Sequence, residues 1–398
     1  MKVLQINCTY GEGSTGKITE DLHHFLLDNG FESVVLYSDG KTTEPRTKKY
    51  MNKFERNLFS ICSHITGNYG FEGSIAAHRI IRIIKKEKPD IVQIHNLHSH
   101  NGNLNLLFKY LSKTNVEVCY SLHDCWPFTG YCPHFSSVNC YKWKVECNNC
   151  PVYKQFSYFF DKSKSNFIKK KNALSECNRL HLISVSNWIK NIASQSFLKD
   201  KDMIVFPPGI DQTIFCQKDN VHFKEAFSNE KINILGVAFN FTESKGLLDF
   251  LKLASICGDK FNIILVGNVP NGYKLPNNIL HIERQSDQNA LAELFSSADI
   301  FLNLTKEETF GLTNVEALSC GTPVITYNSG GSPESIDSSC GAVVESGDFD
   351  NLVKTIESLG KKKEAITLKC IERSKLFSIE SMCKNYLNFY NDIMKGQR

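Results

Sequence analysis

The chain has 398 residues, 41% of them hydrophobic, and a formal net charge of +4. That length exceeds one ordinary core and calls for two domains, and that apolar fraction excludes a disordered chain. No apolar run approaches about 18 residues, which excludes a membrane-spanning helix. "MKVLQINC" lacks the apolar core of a signal peptide, so the expected location is the cytosol, with the 15 cysteines reduced or bound to metal. The charge is uneven. Residues 1–199 hold 26 Lys+Arg against 16 Asp+Glu, and the remainder 20 against 26. A basic first half points to an anionic partner.

"KVLQIN" predicts the first strand. "YGEGSTGKITEDL" (Tyr10–Leu22) follows, with Gly11 to Gly16 and Lys17 at phosphate-loop spacing. A triphosphate-hydrolysing loop needs Ser or Thr after that lysine to hold Mg²⁺. Position 18 is Ile, which argues against an NTPase. "SVVLYS", "DIVQIH" and "EVCYSLHD" continue the strands, with amphipathic helical patterns between them. Basic runs at 46–57 and 79–88 mix Lys and Arg with apolar residues, a mixture suited to a membrane surface, although the isoleucines of the second run read as a buried helix face. "IHNLHSHNG" offers His95, His98 and His100 after a strand. Their spacing fits no common metal site, so they read as a polar rim, with Asn96 and His98 as acceptor candidates. His123-Asp124 follows the next strand.

Residues 125–165 interrupt the pattern with Cys, aromatics and Lys. Cys132, Cys140, Cys147 and Cys150 end in a C-x2-C pair, and four thiolates could hold a structural zinc. "VFPPGIDQTIF" (205–215) punctuates the chain before a second strand series: "INILGVAF", "FNIILVG", "ADIFLNL" and "PVITY". Two βα series predict two doubly wound α/β domains. The expected bounds are 1–207, 208–378, and a terminal helix over 379–398 that starts at an N-cap Ser378 and packs back on the first domain. Asp348 in "DFD" reads as a helix N-cap.

The informative segment is Ala298–Gly331. It carries Glu308, Phe310-Gly311 and Glu316 at the start of a helix that begins near Leu312, with "GGSPE" (330–334) as a tight turn after the next strand. Free amides at a helix start after a strand suit a phosphorylated ligand, and carboxylates beside them can accept hydroxyl hydrogen bonds.

Glu308-(x7)-Glu316 with Phe310-Gly311 between resembles the signature of family 4 glycosyltransferases, retaining enzymes with the GT-B fold of two Rossmann-like domains. "SVSNWI", "VFPPGIDQTIF", "SKGLLDFLKLA" and "ILVGN" extend the resemblance over nearly the whole chain. The resemblance implies that Glu308 contacts the donor sugar, that Glu316 holds the ribose hydroxyls, and that Lys245 neutralises the leaving diphosphate. It implies a first-domain histidine near the donor sugar, His123, and a glycine-rich loop, with Gly13, that reaches the donor phosphates and the acceptor. Gly267, Phe310, Gly311 and Leu312 complete the donor-side candidates. The family's arginine, a few residues before the lysine, is missing: Phe239 and Asn240 sit near its place.

The reading is a cytosolic retaining hexosyltransferase of polysaccharide biosynthesis that needs no metal for catalysis. It would use a UDP- or GDP-sugar and a glycan or lipid-linked acceptor, with peripheral contact at the inner membrane face through its basic half and no nucleic acid. The alternatives are a GT-B nucleotide-sugar epimerase and a non-catalytic nucleotide-sugar-binding protein.

Overall fold

The computed structural model describes residues 1–97, 100–228 and 230–396. The chain divides into two compact units. One joins Met1–Phe206 to the C-terminal stretch from Cys383, and the other is Pro207–Met382.

The first unit is built on a seven-stranded parallel sheet. Its strands are β1 (Lys2–Ile6), β2 (Glu32–Tyr37), β3 (Thr47–Lys49), β4 (Ile91–Ile94), β5 (Glu117–Leu122), β6 (Leu180–Ser184) and β7 (Met203–Val205), in spatial order 3-2-1-4-5-6-7. The order reverses at β1, whose neighbours are β2 and β4. Both faces are covered, so the central strands are buried along their length and read as continuous apolar runs.

The 125–165 insertion has no strand among its described residues. It winds through short 3₁₀ turns into helix Ser163–Ser175. Aromatic packing takes the place of a backbone ladder. Trp126, Phe128, Tyr131 and Trp143 are buried, with Phe135 and Trp143 ring centroids 4.9 Å apart. Lys170 is buried among them. Its Nζ donates to the Trp126 carbonyl at 2.6 Å and lies 3.9 Å from the Trp126 ring centroid, and burial pushes its pKa down to about 7.

The second unit holds a six-stranded sheet: β8 (Ile232–Asn240), β9 (Phe261–Asn268), β10 (Ile279–Ile282), β11 (Ile300–Asn303), β12 (Val324–Tyr327) and β13 (Gly341–Val344), in order 10-9-8-11-12-13, all parallel. Here the reversal falls at β8, between β9 and β11. Its core gathers Ile234, Leu253, Ile263, Leu265, Leu302 and Ile325. Asp348 caps helix Phe349–Gly360 by accepting from the Asn351 amide at 3.1 Å, as the "DFD" reading requires.

The terminal helix, Ile379–Met394, starts at Ser378, whose Oγ accepts from the Ser381 amide at 3.1 Å. Within the first unit, Tyr390 Oη donates to buried Gln93 Oε1 at 2.9 Å, and Tyr386 Oη lies 2.8 Å from Ser121 Oγ. These bonds anchor the helix to the strands β4 and β5 from positions 297 and 265 residues later in the chain. Tyr390→Phe strands the Gln93 acceptor in a dry site. The expected loss is about 1–3 kcal/mol of stability, read from the urea midpoint at unchanged slope.

Candidate active site

Lys245 and Glu308 are 63 residues apart in sequence and meet at the carboxyl end of the second sheet. Lys245 follows β8, Glu308 follows β11, and these strands pair directly. Lys245 Nζ donates to Glu308 Oε2 at 2.9 Å. Their loops are tied by backbone: Lys306 N–H donates to the Ser244 carbonyl at 2.7 Å. Gly246, at φ +79°, passes the end of β11 so closely that a Cβ would lie 2.5 Å from the Leu304 carbonyl. Only glycine lets the lysine loop settle there.

A third loop closes the group. Gly331 N–H donates to the Glu308 carbonyl at 3.0 Å. At Gly330, with φ +59°, a Cβ would lie 1.8 Å from that same oxygen. The "GGSPE" turn is therefore a backbone clamp on Glu308. Glu334 supplies its carbonyl to Arg373 at 2.8 Å.

Helix Leu312–Ser319 begins beside this group. Gly311 is its N-cap, at φ +88°, with no side-chain capping bond. The first amides of the helix are thus left for a ligand. Beneath them runs a buried polar network. Asn314 Nδ2 donates to Ser332 Oγ and Ser335 Oγ, both at 2.9 Å, and Asn314 Oδ1 accepts from Asn303 Nδ2 at 2.8 Å. The sequence marks Gly330 and Ser332 only as part of the "GGSPE" turn, and gives Asn314 no role. The signal available was an Asn at the third helical position, which an apolar-face reading does not ask for.

Glu316 lies one turn into that helix and is half-buried. Burial alone pushes its carboxyl up to about 7. No hydrogen bond or ion pair to that carboxyl occurs among the described residues. An acid left in this state is available to hydroxyl donors from a ligand.

The other donor-side candidates divide. The Leu312 amide stands at the helix start. Phe310 is buried, with its ring against Phe377 at 5.2 Å between centroids. Gly267 has a packing reason: a Cβ there would lie 1.8 Å from the Ala238 carbonyl. At the place of the absent arginine, Asn240 Oδ1 accepts from Asn268 Nδ2 at 3.0 Å, and the exposed Phe239 ring carries the Arg284 guanidinium at 3.9 Å. Arg284 arrives from the segment after β10.

In the first unit, the corresponding strand ends carry Gly13, His95 and His123. Gly13 begins helix Gly13–Asp28, at φ +67° and with open space where a Cβ would be. Lys17 pairs with Glu20 on the same helix. His95 and His123 stack at 5.7 Å, and His95 Nε2 lies 2.9 Å from Gln5 Oε1. Burial and the neighbouring His123 hold the His95 pKa well below the usual imidazole value. His98 lies outside the described residues.

The four insertion cysteines line one small cavity, and all are reduced. The Cys132 thiol is hydrogen-bonded to Cys150, which raises the pKa of the first and lowers that of the second. The Gly130 amide donates to Cys147 Sγ at 3.2 Å. The donor chemistry fits zinc, but the placement does not yet form a ligand set: among the described residues, no three His, Cys, Asp or Glu side chains are arranged to hold a metal ion.

Glu316 gives a pH signature. Its folded pKa, about 7, exceeds the ordinary 4.5, so its contribution to stability is fully present below 4.5 and is lost as pH rises through 7. Chemical denaturation between pH 5 and 8 should show this slope, on the order of 1–3 kcal/mol, and Glu316→Gln should flatten it. A slope unchanged in the variant would mean that another group titrates there.

Comparison with known proteins gives the family and the fold. The family model described as Glycosyltransferase Family 4 matches residues 15–213, and the one described as Glycosyl transferases group 1 matches residues 218–376. The chain is 23% identical to a protein of Escherichia coli (strain K12) named "Putative colanic acid biosynthesis glycosyl transferase WcaC", across 99% of this chain and all of that one. Sucrose-phosphate synthase from Thermosynechococcus elongatus superposes with a TM-score of 0.71 at 15% identity, covering 99% of both chains. Anabaena HepE in complex with UDP-glucose superposes at 0.65 and 14% identity, covering 98% of this chain and all of that one. These likenesses establish the GT-B fold. With its two halves matched by the two family models, the chain belongs to glycosyltransferase family 4.

Proposed function

We propose that the protein is a retaining hexosyltransferase that carries a sugar from a uridine or guanosine diphosphate donor to a glycan or lipid-linked acceptor in cell-surface polysaccharide assembly, working at the inner face of the membrane. The observation that carries this reading is the convergence of Lys245, Glu308 and the uncapped start of helix Leu312–Ser319 at the strand-order reversal of the second sheet. The UDP-glucose held by HepE supports the donor class. The name of the E. coli relative supports the polysaccharide class.

In the proposed reaction the diphosphate lies at the helix start, with Lys245 turned from Glu308 onto it. The acceptor oxygen attacks the anomeric carbon from the face that the diphosphate leaves. The bond from that carbon to the phosphate oxygen breaks, a bond to the acceptor oxygen forms, and the acceptor proton passes to the departing phosphate. Lys245 and the helix amides stabilise the charge that develops. Glu308, released from its lysine, accepts from the sugar hydroxyls. Glu316 accepts from the ribose diol, His123 faces the donor sugar, and Gly13 approaches the phosphates. Arg284 on Phe239 is the second cation in place of the absent arginine. The scheme runs without a catalytic metal.

A thermal-shift screen of nucleotide sugars identifies the donor, and turnover with that donor tests the roles. Glu308→Gln should lower kcat by about 100-fold or more with donor affinity nearly kept. Lys245→Ala should lower kcat/KM by a similar factor, and Arg284→Ala by less. Glu316→Ala should weaken donor binding by roughly 1–3 kcal/mol, and wild-type donor affinity should rise with pH through 7 as its carboxylate forms. Wild-type rates in the Glu308 and Lys245 variants would overturn the assignment. An inverted anomer in the product would overturn retention.

The insertion is proposed to hold one structural zinc on Cys132, Cys140, Cys147 and Cys150, with the thiols turning inward to close on it. Their shared cavity and the amide on Cys147 support this. Elemental analysis of protein purified without added metal should give one zinc per chain, lost together with thermal stability in Cys132→Ser. A metal-free preparation of full stability rules the site out.

A further inference from the structure

The first unit carries an apolar surface that its own fold does not use. Helix Lys53–Thr66 buries only Phe59 and Ser63. Its Phe54, Leu58, Ile61 and Ile65 stand exposed, at 77, 46, 58 and 46%. Spacings of four, three and four place them on one face. Tyr158, Phe159 and Phe160 adjoin the end of this helix, and all three are more than half exposed. Backbone makes the join. Tyr158 N–H donates to the His64 carbonyl at 2.7 Å, and Gly67 passes the Phe160 carbonyl so closely that a Cβ would lie 2.8 Å from it. Seven large apolar side chains gathered this way exceed the single exposures normal on a soluble surface.

The surrounding charge is one-sided. Residues 141–171 hold eight lysines, all but Lys170 at least partly exposed, against two acids, Glu146 and Asp161. Both acids are engaged inside the insertion: Glu146 with Lys164 at 2.8 Å, and Asp161 with the amides of Cys150 and Ser163. Lys53, Lys154, Lys162 and Lys171 are exposed with no carboxylate partner among the described residues. Lys162 Nζ lies 5.8 Å from the Phe160 ring centroid, an ammonium beside an open aromatic face.

We infer that helix Lys53–Thr66 and the Tyr158–Phe160 segment form the face by which the protein docks on an anionic lipid bilayer. The helix lies in the headgroup layer, the aromatic segment enters at its end, and the lysines meet the headgroups. An apolar face flanked by lysines binds such an interface by burial and by charge together. A second copy of the chain is the rival occupant, and the charge argues against it: pairing the face with itself would set lysines against lysines. The other basic run contributes charge alone, since helix Ser74–Glu87 buries Ile80 and Ile84. The inference deepens the membrane-face part of the proposed function and rests on it, while its test is separate from the transferase chemistry because docking is measured with neither donor nor acceptor present.

The test is co-sedimentation of the full chain with phosphatidylglycerol–phosphatidylcholine vesicles. Leu58→Ser with Ile61→Ser, and separately Phe159→Ser with Phe160→Ser, should each lower the partition coefficient about tenfold or more at unchanged melting temperature, since these side chains are exposed. Lys154→Glu with Lys171→Glu should weaken binding at low salt and change it little at high salt. Three results would each overturn the inference: wild-type binding by both serine variants, equal binding to pure phosphatidylcholine vesicles, or a dimer at sedimentation equilibrium that the serine variants dissociate.

Discussion

The pairing of β8 with β11 decides where the chemistry of the second unit can lie. Ile234 and Leu235 stand in register with Ile300 and Phe301. The strand order reverses there, so the loops that leave the two strands part to opposite faces and open a crevice at their carboxyl ends. The chain fills that crevice with a cation from one loop and a carboxylate from the other. Everything around them holds backbone in place: the Lys306–Ser244 hydrogen bond, the close pass of Gly246 under Leu304, and the Gly331 amide on the Glu308 carbonyl. A shift of the β8–β11 register would move Lys245 relative to Glu308 and undo the site.

The ion pair itself is a poor stability device. Lys245 is 40% exposed and Glu308 22%, and pairs of that kind contribute about 0–1 kcal/mol. Glu316 is worse than neutral for the empty protein, since its buried carboxyl has no partner to offset desolvation. The crevice also lacks a capping side chain at Gly311. Three unfavourable or nearly neutral features at one strand-order reversal make sense if a ligand carrying hydroxyls and a diphosphate completes them. The same logic explains the buried Asn314–Ser332–Ser335 network beneath, which holds the helix start without using the groups a ligand needs.

The strands were legible because parallel strands covered on both faces are written as short apolar runs: "KVLQIN" and "DIVQIH" contain β1 and β4, and "FNIILVG" covers β9 to within one residue. The helix start at Leu312 was legible from the glycine before it, and the caps at Asp348 and Ser378 from single side chains. What the sequence hid were relations between distant segments. The clamp of Gly330 on Glu308, the contact of Arg284 with Phe239 and the Lys245–Glu308 bond join residues from different loops, and no local pattern encodes them. The burial of the Phe310 ring was hidden for the same reason, since its partner Phe377 comes 67 positions later. The exposed apolar face of the first unit was hidden in the other direction. Helix Lys53–Thr66 has an ordinary amphipathic pattern, and only the fold shows that its apolar side is turned outward.

The most direct measurement is a crystal structure of the protein with UDP or GDP, whichever raises its melting temperature. The account predicts the diphosphate at the start of helix Leu312–Ser319, within hydrogen-bond distance of the Leu312 or Thr313 amide, with Lys245 Nζ moved from Glu308 onto a phosphate oxygen and the ribose hydroxyls on Glu316. A nucleotide bound elsewhere, with the Lys245–Glu308 bond intact and Glu316 untouched, would contradict it.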